Sequence, residues 1–281
     1  MTHRKKTKWI AVAAVVAAVS AANHAGRAEA NGPAQWTDTQ QEEFLKTADV
    51  KRREKLSVGV TGSERITLSS GEWTHDAHMQ TVNESKPRFE GAKSVELNFR
   101  DFCLYNVAAY RLDRLLGLNI VPVSVERKVA GKTAALSWWI DDVQMMELDR
   151  YKKQLEPPDQ ADWNDQMYNV RVFNQLVYNT DANLGNLLIT RDWKLRAIDF
   201  TRAFRWRREL AAPENLVRID RRVYEGLRSL TNEKVQAELG GVLNKNEIAG
   251  LVARRDKILE IFDQKIARVG EAGVICDQAG H

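Results

Sequence analysis

Residues 171–204, RVFNQLVYNTDANLGNLLITRDWKLRAIDFTRAF, decide the fold. Residues 171–178 close a helix, with Val172 and Leu176 on its apolar face. Asn179, Thr180, Asp181, Asn183 and Gly185 are turn formers. Residues 187–190 and 195–198 are short apolar strands on either side of the turn Arg191-Asp192-Trp193-Lys194. Asp199 follows directly on the second strand. This layout sets Asp181, Asn186 and Asp199 at the mouth of one hairpin.

Asp181 and Asn186 have the D-x-x-x-x-N spacing of a kinase catalytic loop, and Asp199 stands where the metal-binding Asp follows. Phosphoryl transfer needs these groups. One carboxylate orients the attacking hydroxyl and accepts its proton. An amide oxygen and a second carboxylate hold hard Mg²⁺ (or Mn²⁺) ions against the phosphates of ATP. Asn and Asp also favour turns for their own sake, so the spacing alone is better explained by a surface hairpin. The strand–turn–strand–Asp order that follows it favours the catalytic reading.

The blocks NTDANLGN (179–186) and AIDF (197–200) resemble the atypical kinases related to bacterial HipA, the secretory-pathway kinases of the Golgi casein kinase type, and the phosphatidylinositol kinases. Upstream, residues 106–127 (NVAAYRLDRLLGLNIVPVSVER) are similar to the HipA-like and secretory-kinase-like groups, where a helix of this pattern precedes a "VP" strand. The resemblance spans residues 44–262 and is specific in these blocks. It implies an α+β, two-lobed protein-kinase-like fold, with a small antiparallel β lobe plus one helix and a mostly helical large lobe.

The N-terminus reads as an export signal. Arg4, Lys5, Lys6 and Lys8 precede the apolar run WIAVAAVVAAVSAA (9–22), and Ala28-Glu29-Ala30 offers an A-x-A cleavage site. That run spans about 21 Å as a helix, short of the roughly 30 Å hydrocarbon core, so no stable membrane span is expected after cleavage. Residues 1–30 carry a net +4, equal to that of the whole 281-residue chain. The remainder is near neutral, so the basic balance is no argument for nucleic acid as a partner. An exported location, periplasmic or extracellular, is expected. Two cysteines, Cys103 and Cys276, leave one disulfide open, and no zinc spacing is present. His75 and His78 form H-x-x-H with few partner ligands nearby.

The chain divides into a signal peptide (1–30), a linker and N-terminal helix (31–54), a small lobe (55–142), a large lobe (143–270) and a flexible tail (271–281). Thr37 or Asp38 caps the first helix, expected to run to about Arg53. Strands are expected over 56–61, 66–68 and 77–82, then a polar loop over 83–93 and a helix over 99–116 stopped by Gly117. Residues 120–129 and 133–140 make a hairpin. Gly131-Lys132-Thr133 lacks the upstream glycine and following helix of a P-loop. A long helix over 163–178 enters the catalytic loop, and helices over 213–230, 232–243 and 246–269 complete the large lobe.

Within that frame, Gly59, Thr61, Gly62 and Ser63 form the candidate phosphate cover between the first two strands, although an ordinary hairpin turn explains them as well. The resemblance puts Gln80 where kinases carry a phosphate-binding Lys, and Asn106 where HipA-like relatives carry its Glu partner. Both charges are absent together. Lys86 or Lys93, with Glu96 or Asp101, are possible substitutes. Trp138 and Trp139 fall where an adenine would meet the hinge, or are simply core. Arg202 and Arg205 read as anion-steering or solvated. The implied activity is transfer of the ATP γ-phosphate to a hydroxyl on a protein or glycan. A pseudokinase that binds nucleotide or a partner is the rival, favoured by the Gln80/Asn106 pair.

Overall fold

The computed structural model describes residues 36–56, 62–90 and 95–277. Gly59, Thr61, Lys93 and the export signal lie outside the described residues.

Helix α1 (Asp38–Thr47) opens with a capping box: Thr37 Oγ1 accepts from Gln40 N at 3.3 Å and Gln40 Oε1 accepts from Thr37 N at 2.9 Å. It buries Phe44 and Leu45, then stops well before Arg53. The charged stretch DVKRREK becomes strand β1 (Asp49–Lys55), antiparallel to β2 (Glu64–Ser70). Charges that suit a helix also suit an outer strand, which they guard against further pairing, so tertiary pairing decides here. Strands β3 (Trp73–Gln80), β6 (Ser124–Val129) and β7 (Lys132–Trp138) complete a five-stranded sheet in the order β1-β2-β3-β7-β6. Ala130 and Gly131, both at positive φ, turn the β6–β7 hairpin.

Between β3 and β6 the expectation is corrected. Residues 83–93 are no loop: β4 (Asn83–Glu90) pairs with β5 (Val95–Phe102), and the helix expected from Phe99 begins only at α2 (Tyr105–Leu115). The ladder passes over Pro87 and the left-handed Asn98, which face each other where pairing is interrupted. Phe89 stacks on Phe99 at 4.2 Å. Gly117, at φ +67°, follows the end of α2 as expected.

Strand β8 (Val143–Met146) and helix α3 (Glu147–Lys153) lead to α4 (Gln160–Val177), capped by Asp159 through Ala161 N and Asp162 N. Strands β9 (Leu187–Thr190) and β10 (Leu195–Ala197) form the hairpin read from the sequence, with β8 as the third strand of their sheet. Buried amides on α4 accept from its surroundings: Gln166 from Leu195 N at 2.8 Å, Asn169 from Asp220 N at 3.0 Å and Gln175 from Ala212 N at 2.9 Å. After β11 (Ile219–Asp220) come α5 (Arg221–Ser229), α6 (Asn232–Leu239) and the long α7 (Lys245–Val269). Residues 274–276, placed by sequence in a flexible tail, are buried, and β12 (Ile275–Cys276) pairs in parallel with β11. Cys103 and Cys276 are both buried free thiols. One apolar core is continuous from Ile66, Leu68 and Met79 beneath the sheet to Phe173, Phe200, Leu251 and Phe262 in the helical lobe.

Asp113 locks α2 to the following strand. It is fully buried, accepts from Ile120 N at 3.0 Å and Val121 N at 3.3 Å, and pairs with Arg114. Burial pushes its carboxyl up to about 6, against the opposing Arg114 charge. The folded protein therefore holds this proton more tightly than the unfolded chain. The resulting stability is present below about pH 4 and is lost as pH rises through about 6. Asp113→Asn is neutral throughout, so denaturation at pH 4 and pH 7 should show it gaining roughly 2–3 kcal/mol on wild type over that interval. A constant difference between the two proteins would show that Asp113 ionises without regard to folding.

Candidate active site

Residues paired across an antiparallel ladder share a face. On one face of the five-stranded sheet, Ile66, Leu68, Ala77, Met79 and Leu136 are buried in the core. The other face carries Arg65, Thr67, Asp76, His78, Gln80, Ser124 and Ser137. Arg65 Nε bonds Asp76 at 2.6 Å, Thr67 Oγ1 bonds the same carboxylate at 2.6 Å, and Ser124 and Ser137 meet at 2.7 Å. This polar face is the ceiling of the cleft, because Gln80 on it reaches Asp199 in the helical lobe.

Gln80 is 2 % exposed, and both ends of its amide are engaged. Its Nε2 donates to Asp199 Oδ1 at 3.2 Å and to Ser63 Oγ at 3.4 Å. Its Oε1 accepts from Asn106 Nδ2 at 2.7 Å. Asn106 also donates to Cys103 O at 3.0 Å and accepts from Phe200 N at 2.9 Å. Sequence reading paired Gln80 with Asn106, and the structure brings them together with Ser63 and Asp199. Asp199 itself has a left-handed backbone, φ +60°, an uncommon conformation that aims its carboxylate off the end of β10. Thr201 Oγ1 donates to Asp199 Oδ1 at 3.2 Å.

The loop after α4 is tied by its own side chains. Asn179 Oδ1 accepts from Asp181 N at 3.0 Å, Asn183 Oδ1 from Gly185 N at 2.9 Å, and Thr180 Oγ1 donates to Arg202 O at 2.9 Å. Asn186 Nδ2 turns back to Asp181 O at 3.3 Å, which leaves Asn186 Oδ1 as the outward end of the amide. The Asp181 carboxyl is held above the usual range by burial and by the Asp199 charge, with Arg202 opposing. Burial likewise pushes the His78 imidazolium down, with Asp199 partly opposing.

Arg205 is buried, whereas the Arg202 side chain is 24 % exposed. Both pair with Glu96 of β5, at 2.8 and 2.5 Å. Arg205 Nη1 also donates to Arg100 O at 2.7 Å, and Phe102 N to Thr201 O at 2.8 Å, so the β4–β5 hairpin is laced to the segment after Asp199. Lys86 pairs with Glu84 instead of reaching the cleft. Trp138 packs with Trp36, Phe44 and His75, against α1 and on the opposite face of the sheet from Gln80. Trp139 lies under the Arg65 guanidinium at 4.1 Å, with the polar face. His75 bonds Asp141 at 2.8 Å and shares no ligand position with His78. Gly62 adjoins Ser63 at φ +70°. A cavity of about 430 Å³ lies beside Arg100, Phe102, Tyr105 and Trp206, on the face of β5 opposite Asp101, and Asp181 and Asp199 do not line it.

Two residues escaped sequence reading. Arg254 of α7, fully buried, donates from Nε to Leu176 O at 2.7 Å and from Nη1 to Arg205 O at 2.9 Å and to Arg207 O. Asp101, considered only as a partner for a lysine, stands beside Thr201 and Asp199. The i, i+4 run of Ile258 and Phe262 extends back to Arg254, a signal passed over because the residue there is charged.

No family profile and no curated protein matches the sequence. Solved structures do match. A hydra Fam20 with sugar aligns at TM-score 0.64 and 13 % identity, over 85 % of this chain and 92 % of that one. A Golgi casein kinase with Mn/ADP bound aligns at TM-score 0.60 and 13 % identity, over 87 % and 80 %. The Helicobacter pylori proinflammatory kinase CtkA aligns at 0.52 and 9 %, over 80 % and 97 %. The chain has the fold of an atypical kinase. At these identities the likeness establishes the two-lobed α+β architecture.

The Gln80–Asn106–Phe200 relay should carry much of the contact between sheet and helical lobe. Asn106→Leu strands Gln80 Oε1 in its best contact and leaves Phe200 N without an acceptor. About 2–4 kcal/mol of stability should be lost in chemical denaturation. A loss below about 0.5 kcal/mol would mean that these groups find other partners.

Proposed function

We propose that the protein is an exported phosphotransferase that moves the ATP γ-phosphate to a hydroxyl on a protein or glycan. The observation that carries this reading is the meeting of Gln80 and Asn106 with Asp199, across 119 residues of sequence, on the cleft face. The donor set suits the metal: Asp199 and the outward Oδ1 of Asn186 offer hard oxygen, the chemistry of Mg²⁺ or Mn²⁺. Such an ion, when bound, neutralises charge on the transferring phosphoryl group. Ser63 and Gly62 adjoin Gln80 and would face the phosphates, with Gly59 and Thr61 completing the loop. Trp139 is the aromatic left for the base, since Trp138 is turned into the core.

Asp181 would orient the acceptor hydroxyl. As the acceptor oxygen forms its bond to the γ-phosphorus, the bond from that phosphorus to the β,γ-bridging oxygen breaks. ADP leaves, and the hydroxyl proton passes to the Asp181 carboxylate. The upward displacement of this carboxyl makes it a better proton acceptor than an ordinary aspartate. The fold match to Fam20 and a Golgi casein kinase supports a hydroxyl acceptor. The basic, apolar, A-x-A order of the N-terminus supports export, and no helix among the described residues is long and apolar enough to cross a membrane. The resemblance to HipA and the phosphatidylinositol kinases rests on the sequence blocks.

A pseudokinase is the second reading. The neutral Gln80 lacks the cation that would meet the phosphates, and it already donates to Asp199. Thermal shift with Mg·ATP followed by radiolabelled phosphate transfer separates the two. An enzyme shows both signals and a pseudokinase at most the first.

Asp199→Ala should abolish metal-dependent nucleotide binding in calorimetry. Asp181→Ala should leave binding nearly intact and slow transfer by about 10²–10⁴-fold. Unchanged Mg·ATP affinity in Asp199→Ala would remove it from the site.

Gln80→Lys combined with Asn106→Glu should bind Mg·ATP more tightly than wild type, because charge-assisted hydrogen bonds are roughly twice as strong as neutral ones. Simple additivity of the two substitutions in a double-mutant cycle would show that they act independently on the nucleotide.

A further inference from the structure

Asp101 is a buried carboxylate with one oxygen that no donor in the protein meets. It is 5 % exposed, and its Oδ1 has no hydrogen-bond partner. Its other contact is Thr201, the residue whose hydroxyl also donates to Asp199 Oδ1. One hydroxyl has one proton and cannot serve both carboxylates. The neighbouring charges make matters worse: Asp199 and Glu84 repel Asp101. Arg202 and Arg205 are the attractive neighbours, but both guanidinium groups bond Glu96 instead, at 2.8 and 2.5 Å. The bond from Phe102 N to Thr201 O at 2.8 Å holds β5 against the Asp199 segment, so Asp101 cannot swing away without opening that contact.

A buried carboxylate oxygen without a donor is costly, and this one points to a ligand from outside the chain. Among the described residues no three His, Cys, Asp or Glu side chains form a ready-made cage. Two carboxylates suffice for a hard ion that keeps waters and takes phosphate oxygens as its remaining ligands. We propose that Asp101 is a ligand of the divalent cation that Asp199 anchors, the pair forming a two-carboxylate platform that takes Mg²⁺ or Mn²⁺ before nucleotide arrives. The inference rests on the reading of Asp199 as a metal residue and adds to it a residue outside the D-x-x-x-x-N and A-I-D-F blocks. It also gives the cleft its phosphate-facing positive charge, which Gln80 does not supply.

The test is Mn²⁺ titration of the intact protein without nucleotide, read by electron paramagnetic resonance, with folding checked by circular dichroism. Wild type should bind Mn²⁺. Asp101→Asn should weaken it at least about tenfold, since even groups that only support metal ligands are worth roughly 10–100-fold. Asp101→Asn should also melt higher than wild type in chelator, having lost a buried carboxylate that Asp199 and Glu84 repel, and gain less on adding Mn²⁺. Asp101→Ser serves if the amide does not fold. Wild-type affinity in the Asp101 variants, with loss in Asp199→Asn, would overturn the role of Asp101 and leave the Asp199 reading standing. Unchanged affinity in Asp199→Asn would overturn that reading and the platform with it.

Discussion

A single buried guanidinium ties the end of α4 to the chain that follows Asp199. Arg254 has no carboxylate partner in its hydrogen bonds. It is solvated by backbone oxygens, Leu176 O at the C-terminal end of α4 and Arg205 O and Arg207 O after Asp199. Carbonyls at a helix C-terminus carry partial negative charge, so a cation there is favoured electrostatically as well as by hydrogen bonding. Burial still costs: the guanidinium pKa is lowered to about 10, which leaves it charged at neutral pH. Gly250, one turn earlier on α7, permits the approach, since a Cβ there would stand 2.8 Å from Trp206 O. The separation of Asp181 from Asp199 is therefore set from behind, by a helix that reaches neither.

The contact from above is neutral. Where an ion pair would bury two charges and rely on their attraction to offset desolvation, Gln80 and Asn106 bury two amides with matched donors and acceptors. The amides also extend further than an ion pair does, because Asn106 takes Phe200 N and Gln80 takes Asp199. The sheet thus meets Asp199 through a neutral amide, while the charge of Asp199 displaces both Asp101 and Asp181 upward in part.

Which parts were legible in the sequence follows from what local pattern can encode. The hairpin over 187–197 was readable because apolar strands flank a polar turn, and Asp199 had to lie at its end. The Gln80–Asn106 pair came from resemblance, since no pattern links residues 26 apart on different elements. The β4–β5 hairpin was missed because its alternation is charged and interrupted by Pro87, a pattern shared with loops; its stabilisation comes from cross-strand pairs such as Phe89–Phe99. The end of α1 was misjudged for the same reason, since β1 is a strand only because β2 lies beside it. Trp138 and Trp139 were assigned together, but neighbours on a strand point to opposite faces, and only the packing of α1 says which face is core. Arg254 was invisible because arginine on a helix is ordinarily exposed.

The β4–β5 hairpin also sets the charge beside the loop that carries Asp181. Glu96 is shared by Arg202 and Arg205, so one carboxylate answers two guanidinium groups and positive charge remains beside Asp181. That charge opposes the effects of burial and of Asp199 on the Asp181 carboxyl. Arg205 is fixed twice more, to Arg100 O and Thr180 Oγ1, which ties β5 directly to the loop that carries Asp181. Hinging of the sheet away from the helices would have to break these bonds together with the bond between Phe102 N and Thr201 O. The counter-charge to both arginines near the Asp181 loop is thus supplied by a hairpin distant from it in sequence.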